Sequence, residues 1–309
     1  MSWLVADIGG TWTRCAIGDG PGRHAEPVVY RNREFAEPGD LLERFLAEHG
    51  ASAPPRAAVL GVAGPVDGDH VRMLNNGWQL SRPALAERLR LDTLLAINDF
   101  EAVAWSLPTL SPTDTVAIGG GSARAGAPCS AVGPGTGLGV AALVQVGRGV
   151  VGGEGGHVSL AAQDAVEEDI IRRAREAFGH CSAERILSGS GLGFLHQAMH
   201  GGALLEASEI GRQLGAGDPA ARATFEQFFR FLGSVAGNVA LTFCATGGVF
   251  LGGGILPRYI EALRGSGFRE RFEAKGRYRD YLAAIPVRVI TAAQPGLQGL
   301  LAVAAQDRR

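Results

Sequence analysis

A two-lobed α/β architecture follows from three observations on the sequence. Two turns of glycine and threonine, Asp7-Ile8-Gly9-Gly10-Thr11 and Gly133-Pro134-Gly135-Thr136-Gly137, each lie between apolar runs that read as β-strands. Each turn comes early in a half of the chain where buried strands give way to amphipathic helices. The 309 residues exceed what one core usually serves and suit two α/β lobes. A strand, a tight glycine turn and a returning strand bring backbone N–H groups close to an anion. One such turn reads equally as an ordinary hairpin. Two of them point to a duplicated phosphate grip on a shared ligand.

The first half opens with strands over residues 3–8 and 13–17 around the first turn. A helix follows over 40–49, with Asp40 as N-cap, Leu41, Leu42, Phe45 and Leu46 on one face, and Gly50 as its stop. Residues 56–62 read as a buried strand, 81–89 as a capped helix, and 94–97 as another buried strand ending at Asn98-Asp99. In the second half Ala131-Val132 leads into the second turn and residues 140–146 lead away from it. Helices are expected over 165–178 and 191–199, and a long one runs from Asp218 towards Cys244. Asp218 is its N-cap and Pro219 its first residue, with Phe225, Phe228, Phe229 and Leu232 on the buried side. A short strand at 249–251 enters Gly252-Gly253-Gly254, and a helix starts over 257–263. Residues 287–290 read as the last strand and 296–305 as an apolar terminal helix. The prolines of Leu107-Pro108-Thr109-Leu110-Ser111-Pro112 mark the boundary, giving a small lobe over 1–109 and a large one over 110–295. The terminal segment 296–309 is expected to return to the small lobe.

Composition narrows the function. Hydrophobic residues make up 46% and charged residues 19%, as in an ordinary globular chain. A net charge of −2 gives no electrostatic case for nucleic acid or an anionic membrane, and Asp307-Arg308-Arg309 reads as a short solvated tail. No run approaches the ~18 to 20 apolar residues of a membrane span. The start of the chain has no basic region, and Asp7 interrupts its apolar run, against a secretory signal. Cys15, Cys129, Cys181 and Cys244 are scattered, which fits free thiols in a reducing, cytoplasmic setting. Lys275 is the single lysine, so a Walker A loop cannot be written. It lies in the charged stretch 269–275 and reads as a solvated surface residue rather than a Schiff-base nucleophile.

The residues that carry chemistry are few. Asn98-Asp99 follows the C-terminal end of a buried strand, where open α/β sheets place ligand groups. A carboxylate there can take a proton from a hydroxyl nucleophile, or the pair can simply cap the next helix. Glu154-Gly155-Gly156-His157 sets a carboxylate and an imidazole among glycines, facing a small polar ligand or forming a surface loop. No third metal ligand stands at useful local spacing. His180-Cys181 has no companion cysteine motif and reads as structural. Glu184 alone reads as a first-turn helix glutamate. Asn75-Asn76-Gly77-Trp78 reads as a turn with a core tryptophan, and Gly252 to Gly254 as a tight corner or a space for adenine or phosphate.

Together these segments resemble the bacterial glucokinase family of the hexokinase/actin/Hsp70 superfamily. The resemblance rests on Ala6 to Thr11, Asn75 to Trp78, Ile97-Asn98-Asp99-Phe100, Gly133 to Gly139, Glu154 to His157, Glu184 and Gly247 to Pro257, and covers nearly the whole chain. It implies a two-lobed actin-like ATPase (ribonuclease H-like) fold, each lobe a mixed five-stranded sheet with helices, and an active site in the cleft. It implies transfer of a phosphoryl group from ATP, with Mg²⁺, to the 6-hydroxyl of glucose. On the matching positions, Asp99 is the catalytic base and Asn98, Glu154, His157 and Glu184 bind the sugar. Asp7 holds the Mg²⁺ shell through water. Gly9, Gly10 and Thr11 lie at the transferring phosphate, Gly135, Thr136 and Gly137 grip phosphates from the other lobe, and Gly253-Gly254 lies beside adenosine. A homodimer is implied as well. In a loose phosphoryl-transfer transition state positioning and charge neutralisation are the main tasks, so no lysine is needed. The related ROK proteins usually carry a zinc-binding His/Cys cluster between the sugar-binding His and Glu. Here residues 157–184 hold only His180 and Cys181 besides those two, so no zinc is expected. Only six residues precede Asp7, which disfavours a ROK repressor. A kinase for fructose, mannose or N-acetylglucosamine is the alternative within the enzymes. A sugar-sensing protein or an actin-like ATPase without transfer would have no need of Asn98-Asp99 beside a sugar-type Glu154/His157 pair.

Overall fold

Along β1 (Trp3–Ile8) successive side chains turn to opposite faces, and both faces are buried: Leu4, Ala6 and Ile8 on one, Trp3 and Val5 on the other. A strand apolar on both sides belongs inside a sheet covered twice by helices. The computed structural model, which describes residues 2–50, 54–73, 77–145 and 149–306, has that arrangement. The chain forms two compact units, one of residues 1–111, 145–153 and 292–309 and one of residues 112–144 and 154–291.

In the first unit β1 pairs antiparallel with β2 (Trp12–Gly20), and β2 carries β3 (Arg23–His24) and β4 (Val28–Arg31). After α1 (Pro38–His49), β5 (Ala57–Val62) joins parallel to β1. A small antiparallel sheet of β6 (Val66–Asp67), β7 (His70–Arg72) and β8 (Gln79–Ser81) leads into α2 (Arg82–Arg88). Then β9 (Thr93–Asn98) joins parallel to β5, and α3 (Asp99–Ser106) follows. The path β3-β2-β1-β5-β9 has the five strands expected, and β4 adds a sixth. Leu41, Leu42 and Phe45 of α1 and Leu85 of α2 cover one face. Ala102 of α3 and Leu297, Leu300 and Leu301 of the terminal helix cover the other.

Two helix caps in the first unit differ from expectation. Pro38 takes the first position of α1 and Glu37 the N-cap, leaving Asp40 inside the first turn. The fixed φ of proline suits the first helical position and outweighs the capping preference of aspartate. Ser81 precedes α2 as expected, but its side chain makes no capping bond.

The second unit repeats the plan. It contains β10 (Thr115–Gly119), β11 (Cys129–Pro134) and β12 (Leu138–Gln145), whose last residue, with β13 (Gly149–Gly153), clusters with the first unit. The helices α4 (Ala165–Phe178), α5 (Gly189–His200), α6 (Ala207–Gly215) and α7 (Pro219–Thr242) come next. Then follow β14 (Gly248–Leu251), α8 (Ile260–Arg264), α9 (Phe268–Glu273), α10 (Arg279–Ala283) and β15 (Val287–Ile290), and α11 (Pro295–Gln306) ends the described chain. As β1 does with β2, β5 and β9, β11 forms a hairpin with β12 and heads a parallel run, β11-β14-β15, with β10 antiparallel at its edge. Residues 257–263 form a 3₁₀ turn, Leu256–Arg258, before α8 rather than one helix. Lys275 is not a solvated residue: its Nζ donates to the Ser234 carbonyl at 3.0 Å, and burial pulls its ammonium below the usual lysine range. Among the described residues no helix is long and apolar enough to cross a membrane.

Asp164 and Asp218 cap α4 and α7, accepting from Glu167 N at 3.0 Å and Ala221 N at 2.8 Å. Asp164 also accepts from Arg230 at 3.0 Å and Arg271 at 3.3 Å. The Glu167 N–H, followed by the two guanidinium groups, holds its carboxyl below the ordinary range. A folded carboxyl that is more acidic than the unfolded one stabilises the protein above the unfolded value, and that contribution disappears as pH falls through the folded value. Asp164→Asn keeps a good cap and removes the charge. Because the side chain is 36% exposed, solvent screening limits the loss at neutral pH to about 1 kcal/mol. Urea unfolding over a pH series should show the deficit shrinking in acid; a deficit independent of pH would contradict the assignment.

Candidate active site

In the first unit the turn between β1 and β2 is closed by Gly9 N donating to Trp12 O at 3.0 Å. Asp7 pairs with Arg14 across the hairpin, and Arg14 Nη1 lies 3.8 Å from Asp7 Oδ2. Burial raises the Asp7 carboxyl above its ordinary range, and Arg14 partly offsets this. The backbone of Gly296, at the start of α11, packs on the same carboxylate; a Cβ there would sit 3.3 Å from Oδ2. The hairpin register makes Arg14 a neighbour of Asp7, a signal sequence reasoning passed over.

Asn98 ends β9 and caps α3. Its Oδ1 accepts from Phe100 N at 2.8 Å and Glu101 N at 3.3 Å, while Glu101 Oε2 accepts from Asn98 N at 3.3 Å, completing a capping box. Asn98 Nδ2 donates to Gly64 O at 3.1 Å. The capping role left open by the sequence is therefore real, and the second amide hydrogen is what Asn98 has to offer a ligand. Asp99 opens α3 and is half-buried.

In the second unit the turn between β11 and β12 is closed by Gly135 N donating to Gly137 O at 2.8 Å. Gly253 lies against it with φ +85°, and a Cβ at Gly253 would come within 2.2 Å of the Pro134 carbonyl. Both the dihedral and the space require glycine there. Gly254 N is about 4 Å from where a Cβ of Gly135 would stand, so Gly135 to Gly137 and Gly253-Gly254, expected at one nucleotide, are neighbours. The N–H of Gly189, first residue of α5, donates to Gly135 O at 2.9 Å, a support with no motif to announce it.

Glu154, His157 and Glu184 converge in this same unit. His157 Nε2 lies 3.7 Å from Glu154 Oε2 and 4.0 Å from Glu184 Oε1, an imidazole between two carboxylates. A bridge between Ser159 and Ser182 brings the two loops together, with Leu160 N donating to Cys181 O and Ala183 N to Val158 O. Gly156 packs so tightly on β12 that a Cβ would come within 2.1 Å of the Leu138 carbonyl. Glu184 is in a turn rather than a helix, and its Oε2 accepts from Leu138 N at 2.9 Å, tying it to the strand after the second glycine turn. His180 is bonded to Ser159 Oγ at 2.9 Å, and Cys181 is buried. Asn75 and Asn76 lie outside the described residues, as do residues 307–309. Gly77 has φ +74°, and Trp78 is buried.

Two sheets of like topology, each with its first hairpin closed by a glycine-threonine turn, are the architecture of the actin-like ATPases. A model of the Glucokinase family matches residues 4–307. A glucokinase of Paramagnetospirillum magneticum is 43% identical over 306 residues, covering 96% of this chain and 95% of the relative. One of Aromatoleum aromaticum is 46% identical, covering 96% and 92%. The crystal structure of glucokinase from an Antarctic psychrotroph superposes with a TM-score of 0.87 at 34% identity, over 100% of this chain and 99% of that one. The chain belongs to the glucokinase family.

Proposed function

We propose that Asp99 is the base in the ATP-dependent phosphorylation of glucose at its 6-hydroxyl, with Asn98, Glu154, His157 and Glu184 holding the sugar. The hydroxyl oxygen bonds to the terminal phosphorus, the bond from that phosphorus to ADP breaks, and the hydroxyl proton passes to the Asp99 carboxylate. Gly9, Gly10 and Thr11 attend the transferring phosphate, Gly135, Thr136 and Gly137 the remaining phosphates, and Gly253-Gly254 the adenosine. The observation that carries the reading is the convergence of Glu154, His157 and Glu184. Each sugar hydroxyl both donates and accepts, and this cluster offers acceptors on two sides of a ring that can donate.

Asp7 fits a divalent cation: its carboxylate is disfavoured by burial, and a guanidinium at 3.8 Å offsets that only in part. In this reading Asp7 would hold Mg²⁺ through water, and the ion would supply charge neutralisation at the phosphates. A homodimer and a cytoplasmic location belong to the same proposal, supported by the family resemblance and by four free thiols. Sedimentation equilibrium at the mass of one chain would refute the dimer, and recovery outside the cytoplasmic fraction the location.

A hexose panel with saturating ATP tests the substrate. Glucose is expected to give the highest kcat/KM. A higher value for fructose, mannose or N-acetylglucosamine would make the chain a kinase for that sugar instead.

A further inference from the structure

Asn32 carries no motif and stands alone after β4, yet its side chain bonds both to the first glycine turn and to the strand that returns from it. The residue is 4% exposed. Its Oδ1 accepts from Thr13 Oγ1 at 2.8 Å, and its Nδ2 donates to Gly9 O at 2.8 Å. Its backbone N–H donates to Thr11 O at 3.0 Å, and its own carbonyl accepts from Phe35 N at 3.0 Å. One residue thus holds alternate positions 9, 11 and 13 of the turn and the returning strand.

We infer that Asn32 is a positioning residue for phosphoryl transfer, setting the direction in which the first glycine turn presents its N–H groups. The inference rests on the reading of that turn as a phosphate grip. In a planar trans peptide the N–H points opposite to the carbonyl, and the described chain has no cis peptide. Drawing the Gly9 carbonyl to Asn32 therefore turns the Gly10 N–H away from Asn32. Drawing the Thr11 carbonyl to it does the same for the Trp12 N–H. Two donors on one side of a glycine turn make an anion-binding concavity. Asparagine is suited to the task because one planar group both donates to Gly9 and accepts from Thr13. An aspartate of the same shape still accepts from Thr13 but sets a carboxylate oxygen against the Gly9 carbonyl.

Three variants test this: Asn32→Asp, Asn32→Ala, and the milder Thr13→Val, which removes a single bond to Asn32. Each is assayed for kcat and for KM of ATP per folded molecule, with glucose affinity measured directly by calorimetry. Misplacing a phosphate grip is expected to lower kcat/KM for ATP by about 10- to 100-fold, most in Asn32→Asp and least in Thr13→Val. Glucose affinity is expected to stay within roughly twofold of wild type. A lower melting temperature with unchanged ATP kinetics in the folded fraction would make Asn32 a structural residue and overturn the inference. Gly10→Ala and Thr11→Val serve as controls for the underlying reading. If they impair ATP kinetics and the Asn32 variants do not, the inference alone fails; if they too leave ATP kinetics unchanged, the phosphate-grip reading fails with it.

Discussion

Replacing Asp99 by alanine or asparagine should all but abolish glucose phosphorylation while leaving glucose binding in place. Transfer of a proton to a positioned base contributes about 10²- to 10⁴-fold to a rate, so kcat is expected to fall by that much. Asp99→Asn is the sharper of the two, since it keeps the shape and a hydrogen-bonding oxygen and loses only the ability to take the proton. Neither change removes the cap of α3, which belongs to Asn98 through Phe100 N and Glu101 N. The melting temperature should therefore move little. Glucose affinity by calorimetry should change by a few-fold at most, because Asn98, Glu154, His157 and Glu184 remain. A variant that retains more than about a tenth of wild-type kcat would rule out Asp99 as the base, given the range just quoted.

The same neighbourhood shows how far a sequence can be read. Position marked Asn98-Asp99 for chemistry, and propensity marked it equally as a cap; the structure shows the cap, and the role in catalysis is the proposal that the Asp99 variants test. Glu154 and His157 are close in sequence, but Glu184 joins them only through the bridge of Ser159 to Ser182, a pairing that no local pattern encodes. Strongly periodic segments were legible to the residue: Trp3–Ile8, Ala165–Phe178 and Val287–Ile290 begin and end where alternation, capping and turn residues place them. Ala207–Gly215 was not, because Gly211 weakens its helical signal. Tertiary packing favours that glycine, since a Cβ there would come within 1.8 Å of the Tyr259 hydroxyl and displace that ring. Asn32 was invisible for a related reason: its partners at positions 9, 11 and 13 lie in the first glycine turn and on β2, about twenty residues before it.

Arg271→Met should destabilise the protein more than any other surface-like substitution in the charged stretch 269–275. By its spacing Arg271 shares a helix face with Phe268 and Phe272, and all three are buried. Arg271 is 8% exposed and Glu167 of α4 0%, and the two are paired directly. Glu167 Oε1 also accepts from Gln227 Nε2 at 3.0 Å, and Glu167 Oε2 from Gln163 N at 2.7 Å. The carboxylate therefore joins α4, α7 and α9 in the second unit. Removing one partner of a buried pair leaves the other charge without compensation, at a cost of about 3 to 5 kcal/mol, whereas replacing both charges is often nearly neutral. Glu167→Gln keeps an acceptor for Gln227 or for the Gln163 N–H and removes the charge. The double variant Glu167→Gln/Arg271→Met should accordingly recover more than half of what Arg271→Met loses, as measured by urea unfolding at neutral pH. Additive losses in the two single variants would mean that the pair is not coupled. The loss is thus charged to the stranded carboxylate, because methionine preserves most of the apolar contact that the arginine stem makes beside Phe268 and Phe272.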